Sequence, residues 1–278
     1  MLIAQLTDTH IRRPGTLAYG VVDTALYLEA AVAHILALTP RPDAVIVTGD
    51  LTDFDDPAEY DRFRAITAAL PMPLFPIPGN HDSSAGLLAA FPEIAARCAG
   101  GRVNYVVDDF ALRLVMLDST VHGRPHGMLG EDGLAFLDRA LGAAPGRPTF
   151  VCAHHPPFLT GIRHMDVQNL FDAARLEEVF GHWPQVLGFT CGHVHRAVTT
   201  TFAGVAATIG PAPAHAVSLA LDPQAPPSFH MEPPSLSLHL FADGRLVTHR
   251  SFIGTYGGPH PFFGPDGRAI GTPERAPS

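Results

Sequence analysis

Five short blocks of this 278-residue chain carry side chains able to hold metal ions: Asp8-Thr9-His10, Gly49-Asp50, Gly79-Asn80-His81-Asp82, His154-His155 and Gly192-His193-Val194-His195. Within them, Asp8, His10, Asp50, Asn80, His154, His193 and His195 supply carboxylate, amide and imidazole groups. Such a nitrogen and oxygen set suits zinc, iron, manganese or cobalt more than calcium or a thiolate-bound ion. Seven groups are too many for one tetrahedral ion. They match two five- or six-coordinate ions if one carboxylate bridges and water completes the shells. Asp50 is the natural bridge, because it stands alone after an apolar run and a carboxylate has two oxygens to share. Two ions held about 3.5–4 Å apart can generate hydroxide at neutral pH and clamp the attacking and leaving oxygens of a phosphoryl group.

Each block follows a run that reads as a strand: Leu2–Leu6, Ala44–Val47, Leu74–Ile77, Phe150–Cys152 and Val186–Phe189. Strands that end together in polar loops gather their residues at one sheet edge. Taken singly, Asp-x-His is a solvated strand end, and Gly-Asp is a turn. Gly-His-x-His is ambiguous, because alternate strand residues face opposite ways unless the backbone turns. The conjunction of five blocks in this order carries the metal reading. His155 is expected to point elsewhere, since one histidine of such a pair serves a metal while Pro156-Pro157 fixes the next loop. Asp82 is expected to orient its neighbours. His34, His182, His239 and His249 read as surface or satisfied packing residues; His122, His126 and His164 lie in loops that could line a cleft.

Between the blocks, helices are expected over Val22–Leu38, Pro57–Leu70, Glu131–Leu141 and Asn169–Phe180, from apolar spacing and from Pro57 in a first turn. A strand pair is expected within Asn104–Asp118, turning at Asp108-Asp109. After residue 198 only strands are expected: Val198–Phe202, Val205–Ile209, Val217–Leu221, Leu236–Phe241 and Leu246–Phe252. Two sheets packed face to face with helices outside fit this order.

A hydrophobic content of 46% against 16% charged residues supplies a core and excludes general disorder. A net charge of −9 disfavours a nonspecific grip on nucleic acid, although two divalent ions would still attract phosphate locally. Three cysteines make no paired framework, and Cys152 and Cys191 read as reduced core residues. The sequence shows no signal-like segment and no apolar run near the ~20 residues of a membrane span, so a cytoplasmic protein is expected.

The order D-x-H, G-D, G-N-H-D, H-H-P-P, G-H-x-H resembles the signature of the calcineurin-like metallophosphoesterase superfamily. From Met1 to the Tyr256–Pro259 region the chain looks like its class III cyclic-nucleotide and glycerophosphodiester phosphodiesterase branch. The resemblance implies an α/β fold, a four-layer α-β-β-α sandwich. It implies a first ion at Asp8, His10, Asp50 and His195, and a second at Asp50, Asn80, His154 and His193. The ions would be divalent or mixed-valence iron, manganese, zinc or cobalt. It also implies that His81 and His215 bind substrate. Residues 1–221 and 235–258 would form the catalytic domain, 222–234 a cap or dimerisation insertion, and 259–278 a C-terminal tail.

The expected reaction is hydrolysis of a small phosphodiester, a glycerophosphodiester or a 3',5'-cyclic nucleotide, by a metal-bound hydroxide. Asp50 would bridge the ions, while Asn80 would ligate through its amide oxygen and contact substrate. His81 would donate to a phosphoryl oxygen or to the departing alkoxide. The alternatives are a phosphomonoesterase or nucleotide hydrolase of the same superfamily, and a metal-dependent binding scaffold. No membrane and no stable nucleic-acid complex are expected, and a homodimer or higher homo-oligomer is compatible with the late proline-rich segment.

Overall fold

The computed structural model describes residues 1–265 and 267–271. Its first sheet contains β1 (Leu2–Leu6), β2 (Ala44–Thr48), β3 (Leu74–Ile77), β12 (Ser235–Ala242) and β13 (Arg245–Phe252), ordered β13-β12-β1-β2-β3. The second contains β4 (Tyr105–Val107), β5 (Arg113–Met116), β6 (Thr149–Cys152), β7 (Val186–Cys191), β8 (Val198–Phe202) and β9 (Val205–Ile209), ordered β4-β5-β6-β7-β9-β8. β1, β2 and β3 are parallel, as are β5, β6, β7 and β9, so the loops leaving these strands emerge on one side. That parallel arrangement puts the five motif blocks within reach of each other.

Strand alternation builds the layers. Leu114 and Met116 of β5, with Phe150 and Cys152 of β6, join the core between the sheets. Their neighbours Val115 and Val151 face a second core against Leu134, Leu137 and Leu141 of helix α5 (Gly130–Gly142) and Leu176 and Phe180 of α7 (Ala173–His182). Helices α1 (Thr24–Ala37) and α2 (Pro57–Thr67) cover the first sheet, burying Leu28, Ala31, Ile35, Tyr60 and Phe63. The α-β-β-α order is therefore present. Gln5 links the two sheets through its amide: Nε2 donates to Thr48 Oγ1 (2.8 Å) and Cys191 O (2.9 Å), and Oε1 accepts from Thr190 Oγ1 (2.9 Å).

Differences from expectation have local causes. Helix α7 starts at Ala173, not Asn169, because the backbone of 169–171 is bound elsewhere. Gly127 N–H donates to Asn169 O, Leu170 N–H to Pro156 O and Phe171 N–H to Gly127 O. The Asp172 carboxylate then accepts from Leu129 and Gly130 N–H at the start of α5. The strand expected over Val217–Leu221 shrinks to β10 (Ala216–Val217), which pairs only with β11 (Phe229–His230), while Leu219 and Leu221 point to solvent. Three short helices were not expected: α3 (Ser84–Ala90), α4 (Pro92–Ala95) and α6 (Arg163–Asp166). Ser83 caps α3 by accepting from Gly86 N–H at 2.9 Å. Of the tail expected over 259–278, residues 266 and 272–278 lie outside the described residues.

Candidate metal centre

Backbone conformation solves the alternation problem at two motifs. Asp8 and His10 have φ of 52° and 42°, and His193 and His195 have φ of 72° and 57°. These left-handed turns after β1 and β7 let residues two apart project to the same side. Asp50, with φ of 50°, turns likewise after β2. The motif glycines permit close approach. A Cβ on Gly192 would lie 2.0 Å from Thr7 Oγ1, one on Gly79 2.1 Å from Asp50 Oδ1, and one on Gly49 2.3 Å from His154 Nδ1.

The seven sequence-selected side chains converge in two clusters. In the first, His10 Nε2 and His195 Nε2 face each other at 3.2 Å, with His10 Nε2 3.5 Å from Asp50 Oδ2 and His195 Nε2 3.5 Å from Asp8 Oδ1. In the second, Asn80 Oδ1 stands 3.1 Å from His154 Nε2 and 3.0 Å from His193 Nδ1, and His154 Nε2 lies 3.5 Å from Asp50 Oδ2. The same Asp50 oxygen faces both clusters. Its partner Oδ1 accepts from His81 N–H at 2.8 Å.

Ring orientation is set one bond further out. His10 Nδ1 pairs with Asp53 Oδ1 (3.1 Å) and His154 Nδ1 with Thr48 O (2.8 Å), which leaves both Nε2 lone pairs aimed inward. Lone pairs aimed at carboxylate and amide oxygens, and at each other, are mutually repulsive unless a cation or proton lies between them. Buried His195 Nδ1 and His193 Nε2 also lack hydrogen-bond partners. These donors fit a pair of cations bound by nitrogen and oxygen.

Titration follows the same crowding. Burial pushes the Asp8 carboxyl up to about 6, against the lowering charge of His154. Asp50 is held well below the usual carboxylate range, because the positive charges of His154 and His81 outweigh its burial. His154 rises to about 9 despite burial, driven by Asp50, whereas burial and the neighbouring His154 lower His193 to about 3. Protons on some imidazoles thus stand where cations would displace them.

His155 has both ring nitrogens engaged, by Ser119 Oγ at 2.8 Å and Pro125 O at 3.2 Å, although it lies close to His154 and His193. Asp82 accepts from Leu51, Thr52 and Gly79 N–H, tying the Asp50 loop to the Asn80 loop. His81 Nδ1 pairs with Asp53 O at 2.9 Å, and its ring borders a cleft of about 650 Å³ above the clusters. His215 lines that cleft too, with its ring 4.6 Å from that of His195 and both nitrogens buried without partners. His164 reaches the cleft, and His122 lines a neighbouring one of about 300 Å³. His126 stacks on Phe171 at 4.0 Å.

Sequence reasoning missed Asp53, Tyr19 and Phe229. Asp53 meets His10, the His81 backbone-bound ring edge and Arg12 Nη1 (2.8 Å). Burial opposes its ionisation, but the hydrogen bond from His10 and the charges of His10, His81 and Arg12 hold it below the usual range. A second acid three residues after Asp50 was the available signal. Nothing local marks Tyr19 or Phe229, which meet only through the fold, with ring centroids 5.0 Å apart.

Comparison with known proteins identifies the family of the chain. Residues 1–197 match the calcineurin-like phosphoesterase family model. A protein of Arcobacter nitrofigilis named probable glycerophosphodiester phosphodiesterase is 40% identical over 272 residues, 97% of this chain and 100% of the relative. The 3',5'-cyclic adenosine monophosphate phosphodiesterase of Escherichia coli K12 is 30% identical over 251 residues, 88% of this chain and 87% of the relative. In fold, a dimetal phosphatase from Danio rerio superposes with a TM-score of 0.64 at 15% identity, covering 91% of this chain and 99% of that one. The chain belongs to the calcineurin-like phosphoesterase family, in its class III phosphodiesterase branch.

Proposed function

We propose that this enzyme hydrolyses small phosphodiesters, with glycerophosphodiesters as the leading class and 3',5'-cyclic nucleotides as the runner-up. The relative named for glycerophosphodiesters matches end to end at 40% identity and supports that order. The observation that carries the reading is the single Asp50 oxygen turned toward two clusters, 3.5 Å from His10 and 3.5 Å from His154, at the floor of the cleft.

Asp8, His10, Asp50 and His195 would hold one ion, and Asp50, Asn80, His154 and His193 the other. Bound there, ions of iron, manganese, zinc or cobalt supply Lewis acidity that activates water and offsets charge on phosphate. The protein groups do the rest. Asp53 O accepts from His81 Nδ1–H and so fixes the ring; in the imidazolium form Nε2 also carries a proton, which it would donate to a phosphoryl oxygen or to the leaving alkoxide. Asn80 contributes a neutral oxygen, so the site carries less negative charge facing an anionic diester. His215, unpartnered beside His195, is placed to donate to a non-reacting phosphate oxygen.

One feature favours the second substrate class: Tyr19 and Phe229 form an aromatic wall on the same cleft, suited to a flat base. A homodimer or higher oligomer belongs to the proposal, supported by exposed Leu219, Leu221 and Met231 around the 222–234 segment and tested by light scattering. A cytoplasmic setting is supported by three free cysteines, Cys98, Cys152 and Cys191. No helix among the described residues is long and apolar enough to cross a membrane.

The deciding assay compares bis(p-nitrophenyl) phosphate with p-nitrophenyl phosphate, using chelated enzyme reloaded with manganese. Preference for the diester is the expected result, followed by direct competition between glycerophosphodiesters and cyclic nucleotides. Preference for the monoester moves the enzyme to the phosphatase reading. Inertness toward both with metal bound revives the scaffold.

A further inference from the structure

The ligand loop after β7 is physically tied to the wall of the cleft. Arg196, the residue after His195, places Nη1 2.8 Å from Val217 O and 2.6 Å from Glu232 Oε1. One nitrogen therefore donates both hydrogens, one to each side of the β10–β11 hairpin. The pair is mostly sheltered, with side chains 14% and 34% exposed, so it is less screened than a surface pair. Ser218 reinforces the hairpin: its hydroxyl lies 2.8 Å from His230 Nδ1 and accepts from Ser228 Oγ at 2.8 Å. The hairpin carries Val217, Ser228 and Phe229 into the cleft lining, and the Phe229 ring stands 5.2 Å from the His215 ring.

We propose that Arg196 and Glu232 act as a clamp that sets the distance between the metal-ligand loop and the Phe229 wall, and thereby selects diesters by the size of the ester group lying against that wall. This inference rests on the phosphodiesterase reading. Among the described residues, the lining of the cleft contains no lysine or arginine and only Asp50 as an acid, which lies at the metal clusters. A substituent against Tyr19, Met165, Val217, Pro227 and Phe229 thus gains contact area and ring stacking, with no charged partner. Its binding depends on the position of the hairpin. A diester whose second substituent is a methyl group barely reaches that wall and is indifferent to it. Arg196 and Glu232 are positioning residues, acting through Phe229 and not on the reacting atoms.

The test uses the full-length, manganese-loaded enzyme and two diesters with the same leaving group, bis(p-nitrophenyl) phosphate and methyl p-nitrophenyl phosphate. Glu232→Gln should raise KM for the aryl diester about fivefold while its kcat stays within about twofold, as expected for lost uniform binding. The kinetics of the methyl diester and the melting temperature should not change. Phe229→Ala should lower the aryl-to-methyl ratio of kcat/KM in the same direction, and adding Glu232→Gln to it should have little further effect. Equal losses on both diesters, an unchanged ratio, or a fall in melting temperature with no change in the ratio would each overturn the clamp. Failure of the parent enzyme to cleave either diester would instead remove the phosphodiesterase reading, and the clamp with it.

Discussion

The Nε2 atoms of His10 and His195 face each other across 3.2 Å, although the residues are 185 positions apart in the chain. With His10 Nδ1 engaged by Asp53, the inward nitrogen of His10 offers a lone pair. Two buried ring nitrogens this close, with Asp8 and Asp50 oxygens alongside, need a cation or a shared proton between them, and a bound cation would stabilise the arrangement.

Metal removal should therefore lower stability, because ions that bind the folded chain and not the unfolded one add to the unfolding free energy. The increment is about 2.7 kcal/mol when free metal is 100 times its Kd. Calorimetric melting of chelated and manganese-reloaded protein checks this. Identical melting curves at saturating metal would sink the binuclear assignment.

Asp50→Asn removes the negative charge directed at both clusters. Bound metal, read by elemental analysis after gel filtration, should fall below two ions per chain. Diesterase kcat/KM should fall by about a thousandfold or more. Retention of two tightly held ions would show that the shared oxygen is not needed.

His81→Ala separates chemistry from metal binding, because the His81 ring borders the cleft while its backbone N–H supports Asp50. The backbone contact survives the substitution. Metal content should stay at the parent level, with kcat lower by about a hundredfold, within the usual range for losing a proton donor. An unchanged kcat would exclude His81 from the reaction.

Gly192→Ala should disrupt the site through sterics alone, since the new methyl would lie 2.0 Å from Thr7 Oγ1 and 2.7 Å from Asp8 Oδ2. Overpacking of this kind costs about 1–3 kcal/mol. Urea unfolding of the chelated protein measures that loss without any contribution from metal, and a variant as stable as the parent would contradict the close packing of this loop.

Acid sensitivity can be traced to a histidine outside the metal clusters. His239 lies buried between Gln5 and Thr248, and burial lowers its pKa to about 3. In the unfolded chain its pKa is about 6.5, so below that pH the unfolded state binds more protons and stability falls as pH drops toward 3. The slope contributed by this group approaches about 1.4 kcal/mol per pH unit. Urea unfolding of chelated protein at pH 7.5 and 5.5 should show a smaller difference for His239→Gln than for the parent. Equal differences would assign the acid sensitivity elsewhere.

The convergence of the five blocks was legible because each combines polar ligand-type residues with a preceding apolar strand, and parallel pairing leaves little choice about where those strands end. β8 and β9 were legible to the residue, since both are bounded by turns at Ala203-Gly204 and by the catalytic loops. The start of α7 was not, because Leu170 and Phe171 continue its apolar spacing yet their backbone is bound to Pro156 and Gly127. Val217–Leu221 misled by a different route: its alternation mimics a strand, but Leu219 and Leu221 are each 62% exposed and only Val217 of the run takes a strand partner, Phe229. Tyr19 and Phe229 stayed hidden because side chains about 210 positions apart meet only after a hairpin folds over the site.

The left-handed turns at Asp8, His10, Asp50, His193 and His195 narrow the routes by which this centre can be altered. Aspartate and histidine are among the few residues with side chains that tolerate such backbone, whereas valine or isoleucine at the same φ is a genuine outlier. Chemical and conformational selection therefore coincide at these five positions. A chain that lost its catalytic role could drift readily to asparagine here and keep its shape. Drift to branched apolar residues would deform the strand ends themselves, so traces of the centre should outlast its activity.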